Sequence, residues 1–191
     1  MSAGVIDHAP CPVLVARRPE VDRIVVADDG SAGAATAAAY LDAWPIFNTA
    51  SLSVVTVVDV GRPLSAALDV PVLYPAGERR YIESLRDACA RAQRSVVRRG
   101  KALWSGRRSV ATSVRVGDPA EEILGAANDF DADLIVVGSR GQTGLARFFA
   151  GSVARRVLLD ATCSVLIARG SAAVVHDREA VWLLAFGARS A

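Results

Sequence analysis

Histidine is scarce in this 191-residue chain: His8 and His176 are the only two, and neither lies between residues 21 and 170. Mechanisms that turn on a histidine have no obvious residue there, and no Ser/His/Asp or Cys/His set is apparent. Cysteine is nearly as thin. Cys11, Cys89 and Cys163 are odd in number, far apart and without a CxxC, which argues against a disulfide framework or a zinc site and agrees with a reducing, cytoplasmic setting. Aromatics supply 6% of residues against 52% hydrophobic in all. Ala and Val make up most of that share, which suits close helix-on-sheet packing. Charge of one sign is also lacking. With 22 basic and 20 acidic residues the net is +2, too balanced to imply nucleic acid as a partner. A basic excess at 91–108 falls on a predicted helix face and the loop after it, and reads as a solvated face. The N-terminus has no seven-residue apolar core behind basic residues, and Pro10 and Pro12 interrupt it, so no signal peptide is expected. The apolar run at 180–186 falls far short of the roughly 20 residues that span a bilayer, and no membrane partner is expected.

What is present centres on residues 134–153, LIVVGSRGQTGLARFFAGSV. The opening apolar run is the pattern of a strand buried on both faces of a parallel sheet. Gly138, two residues, Gly141, nine residues, then Gly151 and Ser152 follow, with Ser152 and Val153 beginning a helix. Bare backbone at a helix N-terminus favours an anion, because glycine lets the chain approach closely and the free amides carry partial positive charge. Singly, each glycine reads as a turn or a helix start. The whole spacing would arise by chance in on the order of one sequence in a hundred of this length at average glycine usage. No Gly-Lys-Ser/Thr closes the motif, so it is not a P-loop, and GxGxxG is absent, so it is not the dinucleotide fingerprint.

These residues resemble the nucleotide-binding signature of the ATP-binding branch of the universal stress protein family. IVVADDGS at 24–31, VVTVVD at 54–59, VGDPAEEIL at 116–124 and CSVLIAR at 163–169 stand in register with it, and the resemblance covers roughly residues 21–170. It implies an adenine nucleotide, ATP, as ligand, with Mg²⁺ admissible on the phosphates. Ala27, Asp29 and Val57 would wall the base and ribose, continued by Val137 and Gly138. Arg140, Gly141, Gly151, Ser152 and Val153 would surround the phosphates. Asp29 has a plainer alternative as a helix cap, shared with Ser31. Asp118 opens a capping box with Pro119 at the first helical position, which suffices for it without a site role.

Alternating strands and helices imply right-handed βαβ units and an α/β fold with an open parallel sheet. Strands are expected at 23–28, 52–58, 110–116, 134–138 and 165–168, and helices from Ser31 to near Trp44, over 78–99, after Pro119 and after Ser152. A ligand between the first and fourth strands requires the order 3-2-1-4-5 with helices on both faces, which the resemblance also implies. The connection at 59–77 is a candidate lid. Gly100 and Gly106 bracket the exit of the second helix. Ser164 stands where the family commonly has proline in its last strand.

The fifth strand is then an exposed apolar edge, and the resemblance implies a homodimer through it. HAPCPVLVAR at 8–17 repeats DATCSVLIAR at 160–169 at six of ten positions. Residues 1–20 therefore read as the last strand and linker of a preceding repeat, 21–170 as the complete domain and 171–191 as a tail whose apolar segment 181–186 has no evident place. The linker 18–22 spans at most about 18 Å, against about 14 Å for three strand spacings. Pairing of the first segment with the fifth strand within one chain would be taut, and exchange between subunits competes with it; the expectation is a homodimer in which this segment helps cover the fifth-strand edge. The function implied is a nucleotide-dependent sensor or regulatory module in stress response. The alternatives are a slow ATP hydrolase or phosphotransferase and a nucleotide-free scaffold acting through its edge strand.

Overall fold

Continuous apolar runs have no polar face to offer water and settle where both faces of a sheet are covered. A computed structural model of the chain describes residue 9 and residues 11–59, 75–103, 109–139, 151–170 and 183–186. Its elements are β1 (Val13–Ala16), β2 (Arg23–Ala27), α1 (Ala32–Ala43), a 3₁₀ turn (Pro45–Phe47), β3 (Ser51–Asp59), α2 (Pro75–Leu103), β4 (Val110–Gly117), α3 (Pro119–Asp129), β5 (Leu134–Gly138), α4 (Ser152–Asp160), β6 (Ser164–Ala168) and β7 (Leu183–Phe186). The strands form one sheet in the order β4-β3-β2-β5-β6-β1-β7. From β4 to β6 all neighbours are parallel, which is 3-2-1-4-5 when strands are counted from β2. The order reverses between β2 and β5, where Ile24, Val25 and Val26 lie beside Leu134, Ile135 and Val136.

Helices cover both faces. On one, Ile24, Val26, Leu134, Val136 and Leu166 pack with Ala37, Ala38 and Leu41 of α1 and Val96 of α2. On the other, Val25, Ile135, Val137, Val165 and Ile167 meet α3 and α4 through Ile123, Ala126, Ala127, Val157 and Leu158. The small alanines let helices α1 and α3 lie close to the sheet. Asp118 caps α3 by accepting from the Glu121 amide at 3.0 Å, with Pro119 following. Helix α2 is longer than its expected 78–99 and runs through Gly100, whose added Cβ would lie 3.0 Å from Thr112 Cγ2 of β4. Close passage over β4 accounts for a glycine inside the helix. Arg91, Arg94 and Arg98 are exposed on it, as a solvated face requires. Of the expected lid, 60–74 lies outside the described residues, as do Gly106 and Arg108, while 75–77 form the first turn of α2.

The sheet has seven strands where five were expected, and the edge expected to be open is closed. Strand β1 pairs antiparallel with β6, placing Val13, Leu14 and Val15 opposite Ile167, Leu166 and Val165. Every residue of β6 is buried. Of the two arrangements left open, the structure holds the one within a single chain, and the N-terminal segment covers the β6 edge as expected of it. The segment without an evident place supplies β7, parallel to β1.

The linker reaches because two side chains pin it as it crosses under the sheet. Ser164, at the start of β6, accepts from the amides of Arg17 and Arg18 at 2.9 and 3.0 Å. Asp133, just ahead of β5, accepts from those of Asp22 and Arg23 at 3.1 and 3.0 Å.

Candidate nucleotide site

The carboxyl ends of β2, β3 and β5 meet at the order reversal, where open α/β sheets leave a crevice. Ala27 is the last residue of β2, Val57 lies in β3, Val137 in β5 and Val153 in the first turn of α4. All four belong to the apolar cluster on the α3/α4 face, Val137 buried and the other three partly exposed.

Asp29 follows two residues after β2 and is half-buried. Its Oδ1 accepts from the Ser31 amide at 2.9 Å, closing an Asx turn. The α1 cap is Ser31, whose Oγ accepts from the Ala34 amide at 3.2 Å. Of the two candidates for that cap, the serine takes it. Asp28, which sequence reasoning left unremarked, fixes this turn from within. It is buried, its Oδ1 accepts from the Gly30 amide at 2.8 Å, its own amide donates to Val55 at 2.9 Å and its carbonyl accepts from Thr56 Oγ1 at 2.7 Å. The only signal for it was the doubled aspartate ahead of Gly30, where φ is 84° and a side chain would be strained.

The two described glycines of the motif answer to different demands. At Gly138 an added Cβ would sit 2.5 Å from the carbonyl carbon of Gly33 in α1, so this glycine admits the helix against the end of β5. Gly33 was also missed, and its signal was a glycine inside an alanine-rich helix. At Gly151 φ and ψ are −60° and 155°, an ordinary extended conformation, and an added Cβ would meet only Ser139 O at 3.5 Å. Nothing among the described residues requires glycine there.

The ends of the loop between them are fastened together. Ser139 donates its amide to Ala168 O and accepts from the Gly151 amide, both at 2.8 Å. Arg140 and Gly141 lie outside the described residues. Gly151 is the N-cap of α4 and offers no side chain; the first turn carries no acidic residue, and Ser152 is exposed at its head. Helices α1 and α3 have side-chain caps, whereas the N-cap of α4 makes no side-chain hydrogen bond to its first amides.

The sequence model of the universal stress protein family matches residues 20–169. A universal stress protein of Thermus aquaticus is 36% identical over 146 residues, 76% of this chain and 97% of that one. The chain belongs to the universal stress protein family. A relative from Methanocaldococcus jannaschii is 47% identical over 60 residues, and the match spans only 35% of its length. The solved universal stress protein UspA from Lactobacillus plantarum superposes with a TM-score of 0.62 at 25% identity, covering 80% of this chain and all of that one.

Two other features of this universal stress protein fall outside the crevice. Arg156 of α4 is paired with Asp118 at 3.0 Å and Glu121 at 2.7 Å, which ties α4 to α3. A polar depression lined by Glu20, Asp22, Arg23, Thr49, Ser51 and Asp133 opens at the opposite, amino ends of the strands. Asp133 there is committed to linker amides and Arg23 to Asp131 at 2.8 Å, so these two side chains serve the fold. Among the described residues no helix is long and apolar enough to cross a membrane.

Proposed function

We propose that this universal stress protein binds ATP between the carboxyl ends of β2 and β5 and serves as a nucleotide-dependent regulatory module in stress response. The observation that carries the reading is position 151: a glycine that none of the described residues requires, at the head of a helix whose N-cap makes no side-chain hydrogen bond. A phosphate seated on the α4 amides explains both facts, since a Cβ would occupy its place and a capping side chain would compete for its donors. Ala27, Val57, Val137 and Val153 would hold the adenine, Asp29 the ribose hydroxyls, and the Ser152 hydroxyl with the α4 amides the phosphates. Arg140 and Gly141, being in the same loop, would complete the phosphate shell. Among the described residues no three His, Cys, Asp or Glu side chains gather as a metal site.

The same crevice offers no evident general base, and we read it as holding ATP without turning it over. A steady turnover on the order of 1 per second, lost in Asp29→Ala, would place the protein among hydrolases instead. The direct test of binding is calorimetry on Gly151→Val and Asp29→Ala. The first should abolish ATP affinity in a folded chain, and the second should weaken it by about 1–3 kcal/mol. Unchanged affinity in folded Gly151→Val would falsify the site.

A further inference from the structure

The near-zero net charge conceals where this chain keeps its cations. Residues 88–117 hold eight of the 22 basic residues and none of the 20 acidic ones. On α2, Arg91, Arg94, Arg98 and Lys101 follow one another at spacings of three and four residues and so line one face of the helix. All four are exposed, whereas Val96 is buried and Gly100 lies against Val110 and Thr112 at the start of β4. The stripe therefore faces away from the sheet, and at a rise of 1.5 Å per residue it is about 15 Å long.

Folding alone does not account for it. Like charges three and four residues apart oppose helix formation. The helix dipole favours a cation only in the last turn, which here contains Lys101, while Arg91 and Arg94 stand further back. Among the described residues the arginines in ion pairs are Arg23, Arg115 and Arg156. The last acidic residue of α2 is Asp87, ahead of the whole stripe.

We propose that this face of α2 docks on duplex DNA, lying across the major groove and holding phosphates on both rims without reading the sequence. A stripe of about 15 Å bridges a groove about 12 Å wide, and a guanidinium holds two phosphate oxygens at once. The exposed positions beside the arginines, Ala90 and Gln93, carry no aromatic ring on which an unpaired base could stack, so a single strand gains nothing there beyond charge. They also carry no large apolar group to enter a bilayer. The deep, narrow major groove of an RNA duplex does not present the same two rims. The stripe begins at the amino end of β4, at the outer side of the sheet, and the crevice lies at the carboxyl ends of β2 and β5. Nothing here depends on nucleotide binding.

The experiment is fluorescence anisotropy of a labelled DNA duplex of about 20 base pairs, two helical turns, titrated with the full chain over a range of salt. With four phosphates engaged, log K should fall against log salt with a slope of about −3.6, or about a hundredfold from roughly 50 to 200 mM. Arg91→Gln, Arg94→Gln and Arg98→Gln together should weaken binding by about tenfold or more at the lower salt and flatten the slope to about −0.9. A control with the same loss of charge, Arg18→Gln, Arg23→Gln and Arg86→Gln, at exposed positions off the stripe, should bind as the unaltered chain does. So should Gly151→Val. The proposal fails if the duplex is not bound at the lower salt or if the stripe variant binds as well as the control. It also fails if Gly151→Val loses the duplex, which would put the phosphates at α4 instead. Tighter binding of an RNA duplex or a single DNA strand of the same length overturns it too, as does a preference for phosphatidylserine vesicles that the stripe variant abolishes.

Discussion

A Cβ added at Gly138 would lie 2.5 Å from Gly33 backbone, whereas one added at Gly151 would lie 3.5 Å from its nearest neighbour among the described residues. Backbone cannot yield as a flexible side chain can, so Gly138→Ala should push α1 off the sheet and cost roughly 1–3 kcal/mol, the range for overpacking. Gly151→Ala should leave the chemical denaturation midpoint unchanged. The glycine spacing was legible in the sequence, but the division of labour within it was not, because the partner of Gly138 is a residue more than a hundred positions away. Asp28 was hidden for a similar reason: its partners, Val55 and Thr56, come from the neighbouring strand. Burial leaves a further signature at the residue scale. It raises the Cys163 thiol above its ordinary 9.0 and the Tyr40 phenol above its ordinary 10.0, the latter with help from nearby Cys11. Both groups are neutral when protonated and ionise more readily in the unfolded chain. Their contribution to stability is therefore complete below those ordinary values and is lost as pH rises through the higher folded ones. The melting temperature should fall as pH climbs through that alkaline range, and the part of the fall above 10.0 should be shallower in Tyr40→Phe. An equal slope in the variant would remove Tyr40 from the account.

Among the elements, those with continuous apolar runs or explicit caps were readable to within a residue or two: β2, β5 and β6 by their runs, α1 and α3 by Ser31 and Asp118. Helix α2 was harder, because Gly100 reads locally as a stop and is explained only by the approach of β4. Strand β7 was unreadable, since a short apolar segment carries no record of the strand it will join. The repeat announced β1 as a strand, yet whether it stays in its own chain depends on Ser164 and Asp133, whose hydrogen bonds hold the linker under the sheet. Ser164 is buried, and its hydroxyl is shared by two backbone amides, those of Arg17 and Arg18. Ser164→Ala should leave both without that acceptor and lower stability by about 1–3 kcal/mol. Hydrogen exchange should quicken in β1 while β2 and β5 keep their protection. Uniform quickening across the sheet would mean that β1 does not open separately.

At the scale of the whole molecule, the proposed ligand joins parts that unfold together: the ends of β2, β3 and β5 at the centre of the sheet, and α4 through its packing on the same core. A ligand held only by the folded state adds its binding energy to global stability. With free ATP at a hundred times its dissociation constant the gain is about 2.7 kcal/mol. For a domain of about 150–250 residues each kcal/mol moves the melting temperature by about 2–4 °C, so ATP should raise it by about 5–10 °C. The variants separate the causes. Gly151→Val should melt with the ligand-free wild type and gain nothing from ATP, because the substitution affects the phosphate seat and not the packing. Ser164→Ala should melt lower without ligand but show the full rise, because β1 and β6 lie on the far side of β5 from Ala27 and Val57. Failure of saturating ATP to raise the melting temperature of the unaltered chain would remove the nucleotide reading. A rise that disappears in Ser164→Ala would show instead that the closed edge and the crevice are coupled, and that seating β1 is part of preparing the site.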